Sequence, residues 1–98
     1  MKAIELLHRR IPYSEEAFAE LVLWQLPSPL AGSTHMYKYR LAYVVRGVCV
    51  LRYDNESGKG DHRHFRDKEA RYTFDGVDKL LASFQRDIER INREDSDT

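Results

Sequence analysis

The sequence predicts an α+β fold, an antiparallel β-sheet meander of four to six strands with a C-terminal α-helix packed on one face. Three observations lead there. Residues 37–46 alternate in hydropathy with the period of a strand. Glycine-containing breaks at Arg46-Gly47 and across residues 54–60 join consecutive strand-like segments as hairpins. Residues 76–91 then change to a helical period, with Val77, Leu80, Leu81, Phe84, Ile88 and Ile91 on one apolar stripe.

In chain order, the first extended segment runs from Phe18 to Leu26, apolar on nearly both faces and stopped by Pro27. It reads as a buried strand, with a short helix as the alternative. Pro27-Ser28-Pro29 and Gly32-Ser33 make residues 27–35 a loop. In the next strand Tyr37, Tyr39, Leu41, Tyr43 and Val45 share one face, and Lys38, Arg40, Ala42, Val44 and Arg46 the other. Val48 to Tyr53 completes the hairpin, and Asp54 to Gly60 forms a polar turn. Asp61 to Arg66 adds a third strand of the meander, and Arg71 to Phe74 a further short one. Asp75 is expected to cap the helix, with Asp78 favourable in its first turn, and the polar residues beyond Asn92 are expected to fray. Cys49 is expected in the core, and Trp24, Tyr39 and Tyr43 in the core or packed on the sheet. Tyr37 and Tyr53 lie near strand ends, where a ring can stack on a base.

The 98 residues, 11.6 kDa, make room for one domain spanning residues 1–98. Hydrophobic residues at 42% suffice for a core, while 33% charged residues and a mean hydropathy of -0.64 surround it with a polar surface, so a wholly disordered chain is not expected. The longest apolar runs, Leu21 to Trp24 and Val48 to Leu51, fall far short of the roughly 20 residues a membrane span needs. Glu5, His8, Arg9 and Arg10 interrupt residues 1–11, so neither a span nor a signal peptide is expected. A single cysteine forms no internal disulfide and no multi-thiolate zinc site, as suits a reducing cytoplasm.

The overall charge is zero, but its distribution is uneven: residues 35–74 carry nine Lys and Arg against five Asp and Glu, together with His35, His62 and His64. An anionic partner is drawn to that segment, although a mixed-charge sheet surface has the same composition. The densest constellation is Arg52 to His64. Its turn holds two glycines, so backbone N–H groups can converge on an anion, and Lys59 adds a mobile charge beside them; phosphate is the obvious guest. On a strand, His62 and His64 project from one face with Cα atoms roughly 6.5–7 Å apart, and Arg63 points the other way. Two such imidazoles can divide the work of RNA cleavage. One takes the proton of a ribose 2′-OH and the other protonates the leaving 5′-oxygen. Lys59, or Arg40 from the neighbouring strand, would stabilise the phosphorane oxygens, and Asp61 would orient an imidazole or cap the turn. His-x-His with Asp54 or Asp61 also supplies two nitrogens and an oxygen, enough for zinc or manganese with open positions. The ordinary readings are a hairpin loop and two solvated histidines.

The string Tyr53-Asp54-Asn55-Glu56-x-Gly58-Lys59-Gly60-Asp61-His62-Arg63-His64 extends the pattern. It is preceded by Gly32-Ser33-x-His35-x-Tyr37-Lys38-Tyr39-Arg40-Leu41 and followed by Tyr72-x-Phe74 and Leu80-Leu81-x-x-Phe84-x-x-Asp87-Ile88. Across nearly the whole chain this resembles the TumE family of toxins, most specifically from Lys59 to His64. The resemblance implies the toxin of a type II toxin–antitoxin system, a cognate helix-turn-helix antitoxin as partner, and RNA as substrate. The positions that match are His35, Lys38, Arg40, Asp54, Asn55, Lys59, Asp61, His62, Arg63 and His64. Tyr13 to Ala17 departs from the pattern by lacking an Asp-Gly turn before the strand near Phe18.

The resulting expectation is a cytoplasmic ribonuclease with His62, His64, Lys59 and Asp61 catalytic, and Arg63, Arg40, Lys38, Asn55 and His35 on substrate phosphate. No cofactor is favoured; in a metal-dependent version Asp54, Asp61, His62 and His64 are the ligands. The competing expectations are a non-catalytic module binding nucleic acid or protein, and an enzyme modifying a nucleotide or protein. An exposed sheet edge also makes a homodimer possible.

Overall fold

The structure, a computed structural model, describes residues 2–96. Six strands follow one another in sequence and in space: β1 (Ile4–Pro12), β2 (Ala17–Gln25), β3 (Tyr37–Val45), β4 (Val48–Glu56), β5 (Gly60–Phe65) and β6 (Lys68–Arg71). Every neighbouring pair is antiparallel. One helix, α1 (Val77–Ser96), crosses one face, so the fold is the α+β meander the sequence predicts.

The core lies between that face and the helix stripe. Leu80, Phe84, Ile88 and Ile91 are buried against Leu23, Tyr39, Leu41, Tyr43, Leu51, Tyr53 and Phe65. Each fully buried aliphatic or aromatic side chain contributes roughly 1.5–3 kcal/mol, which makes this layer the main source of stability. Among the described residues no helix covers the opposite face of the sheet, which carries the candidate site.

Several elements differ from the sequence reading. β1 was not expected, and it is an edge strand with nearly every residue exposed, so no apolar alternation marks it. Its turn into β2 needs no Asp-Gly: Ser14 Oγ accepts the Glu16 N–H at 3.2 Å, and the Tyr13 and Ser14 N–H groups donate to Ala17 O. β4 runs on through Asp54 and Asn55 to Glu56, which shortens the polar turn to residues 57–59. Arg66 leaves β5 for a turn with φ 58°, and the last strand is Lys68–Arg71 instead of Arg71–Phe74. Tyr72 and Phe74 pack inward, Tyr72 edge-on to Tyr53 at 5.1 Å and Phe74 stacked on His35 at 3.9 Å.

Cys49 is exposed, not in the core. In a regular strand it would share the core face with Leu51. The register instead pairs Tyr43 with Leu51 and Val44 with Cys49, so Val50 is an extra residue in β4. This bulge turns Cys49 outward and sets Val50 against the core. Tyr53 is 2% exposed, so it is not a base-stacking ring. At the helix start Gly76 O accepts from Leu80 N at 3.1 Å, placing Gly76 at the cap position; Asp75 binds Lys79 Nζ at 2.7 Å. The helix continues through residues 92–96, where fraying was expected, and residues 97–98 lie outside the described residues.

Candidate functional site

The pleat divides the matching residues between two faces. His62 and His64 alternate with Asp61, Arg63 and Phe65 along β5, and Phe65 and Arg63 point to the helix side. Asp61, Asn55 and His35 lie on that side too, while His62, His64, Asp54, Arg40 and Lys38 share the open face.

On the open face the register lines side chains into rows. One row runs Arg40, Asp54, His62, Arg71; the next runs Ala42, Arg52, His64, Glu69. Directly opposed residues in such rows have Cβ atoms about 4.5–5.5 Å apart. Glu69 Oε1 sits between the imidazoles, 3.4 Å from His62 Nδ1 and 3.7 Å from His64 Nε2. The two rings hold opposite hydrogen-bond states. Arg52 Nη2 lies 2.9 Å from His64 Nε2, and a guanidinium only donates, so that nitrogen accepts and carries no proton. His62 Nε2 donates to Lys59 O at 2.7 Å, and its Nδ1 faces the Glu69 carboxylate. Arg52 Nε is buried 3.2 Å from Asp54 Oδ2 but off the line of a hydrogen bond, so it lacks an acceptor.

Lys59 stands at the turn with its ammonium 3.4 Å from Glu56. Gly58 donates its N–H to Ala31 O at 2.7 Å, which fastens this turn to the 27–35 loop. Two cavities share Arg52, Asp54 and Glu56 as a common wall. One, of about 600 Å³, holds Lys59, His62, His64, Glu69 and Arg71; the other, of about 320 Å³, holds Val22, Trp24, Lys38 and Arg40. Together they form one groove across the open face. Lys38, Arg40 and Arg71 are exposed cations with no ion pair among the described residues.

On the helix side the matching residues bind one another. Tyr37 N–H donates to His35 Nδ1 at 3.2 Å, which leaves Nε2 as the protonated nitrogen, donating to Asp61 Oδ2 at 2.9 Å. Tyr39 OH donates to the same oxygen at 2.6 Å. Asp61 therefore orients the imidazole of His35, on the face away from His62 and His64. Burial pushes the Tyr39 hydroxyl well above the usual phenol range, and the Asp61 hydrogen bond adds to the shift. Asn55 is 2% exposed; its Oδ1 accepts Tyr39 N–H at 2.9 Å and its Nδ2 donates to Tyr37 O at 2.8 Å. Its side chain thus takes the place of ladder bonds beyond the Arg40–Asp54 pair, where β3 and β4 diverge beside the smaller cavity.

Arg63 is held in the same manner. Its Nε donates to Asp87 Oδ2 at 2.8 Å and lies 3.0 Å from Tyr53 OH, while Tyr53 OH donates to Asp87 Oδ2 at 2.6 Å. The Asp87 hydrogen bond pushes the Arg63 guanidinium up, and burial, with the Asp87 bond next, pushes the Tyr53 phenol up. Asp87, in the helix stripe between Phe84 and Ile88, ties α1 to β4 and β5. Arg63, Asp61 and His35 thus sit in a structural layer away from the groove, whereas Asn55, held in the same layer, also borders the smaller cavity.

The metal set Asp54, Asp61, His62 and His64 does not converge, because Asp61 faces the helix side; no group of three or more His, Cys, Asp or Glu among the described residues is placed to hold a metal ion. Sequence reasoning missed Arg52 as a partner of His64, and missed Glu69, Arg71 and Trp24 in the groove. The signal for Glu69 and Arg71 was their two-residue spacing in a short edge strand, which puts both on the face of the histidines.

No curated protein and no solved structure matches the chain. A family model described as toxin TumE matches residues 4–92, from the start of β1 to within α1, and so covers both the groove and the layer behind it. By that match over most of its length, this chain belongs to the TumE toxin family.

Proposed function

We propose that the toxin is a metal-independent ribonuclease whose open sheet face binds RNA and cleaves it between His62 and His64. The observation that carries this reading is the pair of imidazoles on one face in opposite hydrogen-bond states, inside a groove with unpaired cations. His64 Nε2, already an acceptor, takes the proton of the ribose 2′-OH. The 2′-oxygen forms its bond to the adjacent phosphorus as the bond from phosphorus to the 5′-oxygen breaks. His62, facing Glu69, gives its proton to that 5′-oxygen, and the products are a 2′,3′-cyclic phosphate and a 5′-hydroxyl. Arg52 must leave His64 for this to occur; a phosphate in the groove supplies the acceptor its guanidinium then takes, and Lys59, Arg40 and Arg71 hold the remaining charge. Arg63 and Asp61 have no part in the groove chemistry.

A second reading, a non-catalytic nucleic-acid module on the same face, is favoured by one fact: both Nε2 atoms are already engaged by the protein. Induced expression without any antitoxin separates the two. The ribonuclease reading expects growth arrest with new RNA fragments ending in cyclic phosphate, lost in His62→Ala and His64→Ala, weakened in Lys59→Ala, and retained by the purified protein in EDTA. Arrest that survives both histidine changes would sink it in favour of the module. Arrest without RNA cleavage would redirect it to modification of a nucleotide or protein.

Membership in a toxin family further suggests an antitoxin partner, which we place in a type II system in the cytoplasm. No helix among the described residues is long and apolar enough to cross a membrane. The exposed edge of β1, with Ile4 and Leu6 outward, suits pairing with a second copy.

A further inference from the structure

Among the described residues Trp24 differs from every Phe and Tyr ring, each of which meets another ring or a guanidinium. β2 presents two aromatic residues on the open face, Phe18 and Trp24, and Phe18 is covered by the Arg10 guanidinium at 3.7 Å from its centroid. No ring or guanidinium stacks on Trp24 among the described residues. Its half-buried indole instead walls the cavity of about 320 Å³ with Val22, Lys38, Arg40, Asp54 and Glu56. That volume is near the lower limit for a small-molecule site and suits one planar group. Lys38, directly opposite Trp24 on β3, and Arg40 reach the same space, and neither has an ion pair among the described residues. The cavity thus combines a bare aromatic wall, two unpaired cations and two carboxylates, the chemistry that receives a nucleotide: stacking for the base, cations for its phosphate, and acceptors for an exocyclic amine.

We infer that Trp24 is the stacking platform of a subsite for one unpaired RNA base, and that Asp54 and Glu56 favour adenine, cytosine or guanine there over uracil. The inference rests on the ribonuclease reading only for the identity of the ligand as RNA. Three strand spacings separate β2 from β5, so Trp24 stands roughly 14 Å or more from the strand that carries the imidazoles. The base it holds therefore belongs to a nucleotide neighbouring the cleaved linkage. Trp24 acts on RNA binding and choice of cleavage position, whereas His62 and His64 act on bond breaking.

Trp24 is the single tryptophan of the chain, so its fluorescence reports the subsite in the unaltered protein. Titration with adenosine and cytidine 5′-monophosphate is expected to quench it saturably. Uridine 5′-monophosphate should do so more weakly, and ribose 5-phosphate not at all. By calorimetry Trp24→Phe retains binding of cytidine 5′-monophosphate, and Trp24→Ala weakens it about 5- to 150-fold. With an oligoribonucleotide substrate, Trp24→Ala raises KM and leaves kcat near wild type. Absence of quenching by all three nucleotides, or an unchanged KM in Trp24→Ala beside histidine-dependent cleavage, overturns the subsite and leaves the ribonuclease reading standing. Equal quenching by uridine 5′-monophosphate overturns the role of Asp54 and Glu56. Base-specific quenching in a protein whose His62→Ala and His64→Ala variants still arrest growth supports the subsite and removes the ribonuclease reading.

Discussion

Replacing Asp87 by Asn tests whether Arg63 belongs to the fold or to the chemistry. Asp87 is 8% exposed, and its Oδ2 accepts from Tyr53 OH at 2.6 Å and Arg63 Nε at 2.8 Å. Asparagine keeps the size, and its Oδ1 in the place of Oδ2 can accept both bonds, but it removes the charge that strengthens them and leaves the Arg63 guanidinium uncompensated. Hydrogen bonds to charged groups contribute about 1.5–3 kcal/mol each. The Tyr53 bond is fully buried and counts in full, whereas Arg63, 30% exposed at its side chain, is screened and counts for less. The expected loss is roughly 2–3 kcal/mol, and at about 4–8 °C per kcal/mol for a domain of this size Tm falls by roughly 8–24 °C. The assay is thermal and urea unfolding of wild type, Asp87→Asn, Arg63→Gln and the double variant. Because the two residues share one cluster, the double variant should lose less than the two single losses together, by about 0.5–3 kcal/mol. Below its lowered Tm, Asp87→Asn should still cleave RNA. A Tm within about 4 °C of wild type, strict additivity, or loss of cleavage in a fully folded Asp87→Asn protein would refute the reasoning.

Three further outcomes follow from the same structure. Tyr39 and Tyr53 both have phenols raised above the ordinary value near 10, so the unfolded chain releases these protons first. Their contribution is fully present below about pH 10, and above it stability falls by about 1.4 kcal/mol per pH unit for each phenol, measured as the urea midpoint against pH. A flat profile between about pH 10 and 11 would contradict it. Asn55→Ala leaves Tyr39 N–H and Tyr37 O without partners at a cost of roughly 2–4 kcal/mol, and hydrogen exchange should show the Tyr39 amide losing protection. Cys49, turned outward by the bulge, should react with a thiol reagent in the native protein, and Cys49→Ser should shift stability by less than about 0.5 kcal/mol.

The parts of the fold legible in the sequence are those whose one face is buried. β3 shows its alternation because Tyr39, Leu41 and Tyr43 meet the helix while Lys38 and Arg40 meet water, and α1 shows its stripe for the same reason. β1 and β6 are edges with almost no buried side chain, and the charged residues that keep such edges from pairing also erase the pattern. Cys49 was assigned to the wrong face because a bulge changes parity without altering composition. At the site, parity alone placed His62 and His64 together and Arg63 opposite. The same parity places Asp61 with Arg63, and nearness in sequence to the histidines obscured it.

Partners were beyond reach for a different reason. Periodicity assigns a residue to a face but does not say what meets it there, and the contacts that define the layer behind the groove are distant in sequence: His35 with Asp61, Tyr53 and Arg63 with Asp87. The acid in the middle of an apolar helix stripe was the available signal, since a buried carboxylate requires a donor across the interface. Once those pairs are known, the ordered block from Lys59 to His64 divides by parity. Beyond the turn residues Lys59 and Gly60, Asp61 and Arg63 hold the loop and the helix to the sheet, and His62 and His64 face the groove. A specific string at this place therefore reflects two demands on one strand, and loss of growth arrest in a variant at Asp61 or Arg63 reports on folding before it reports on chemistry.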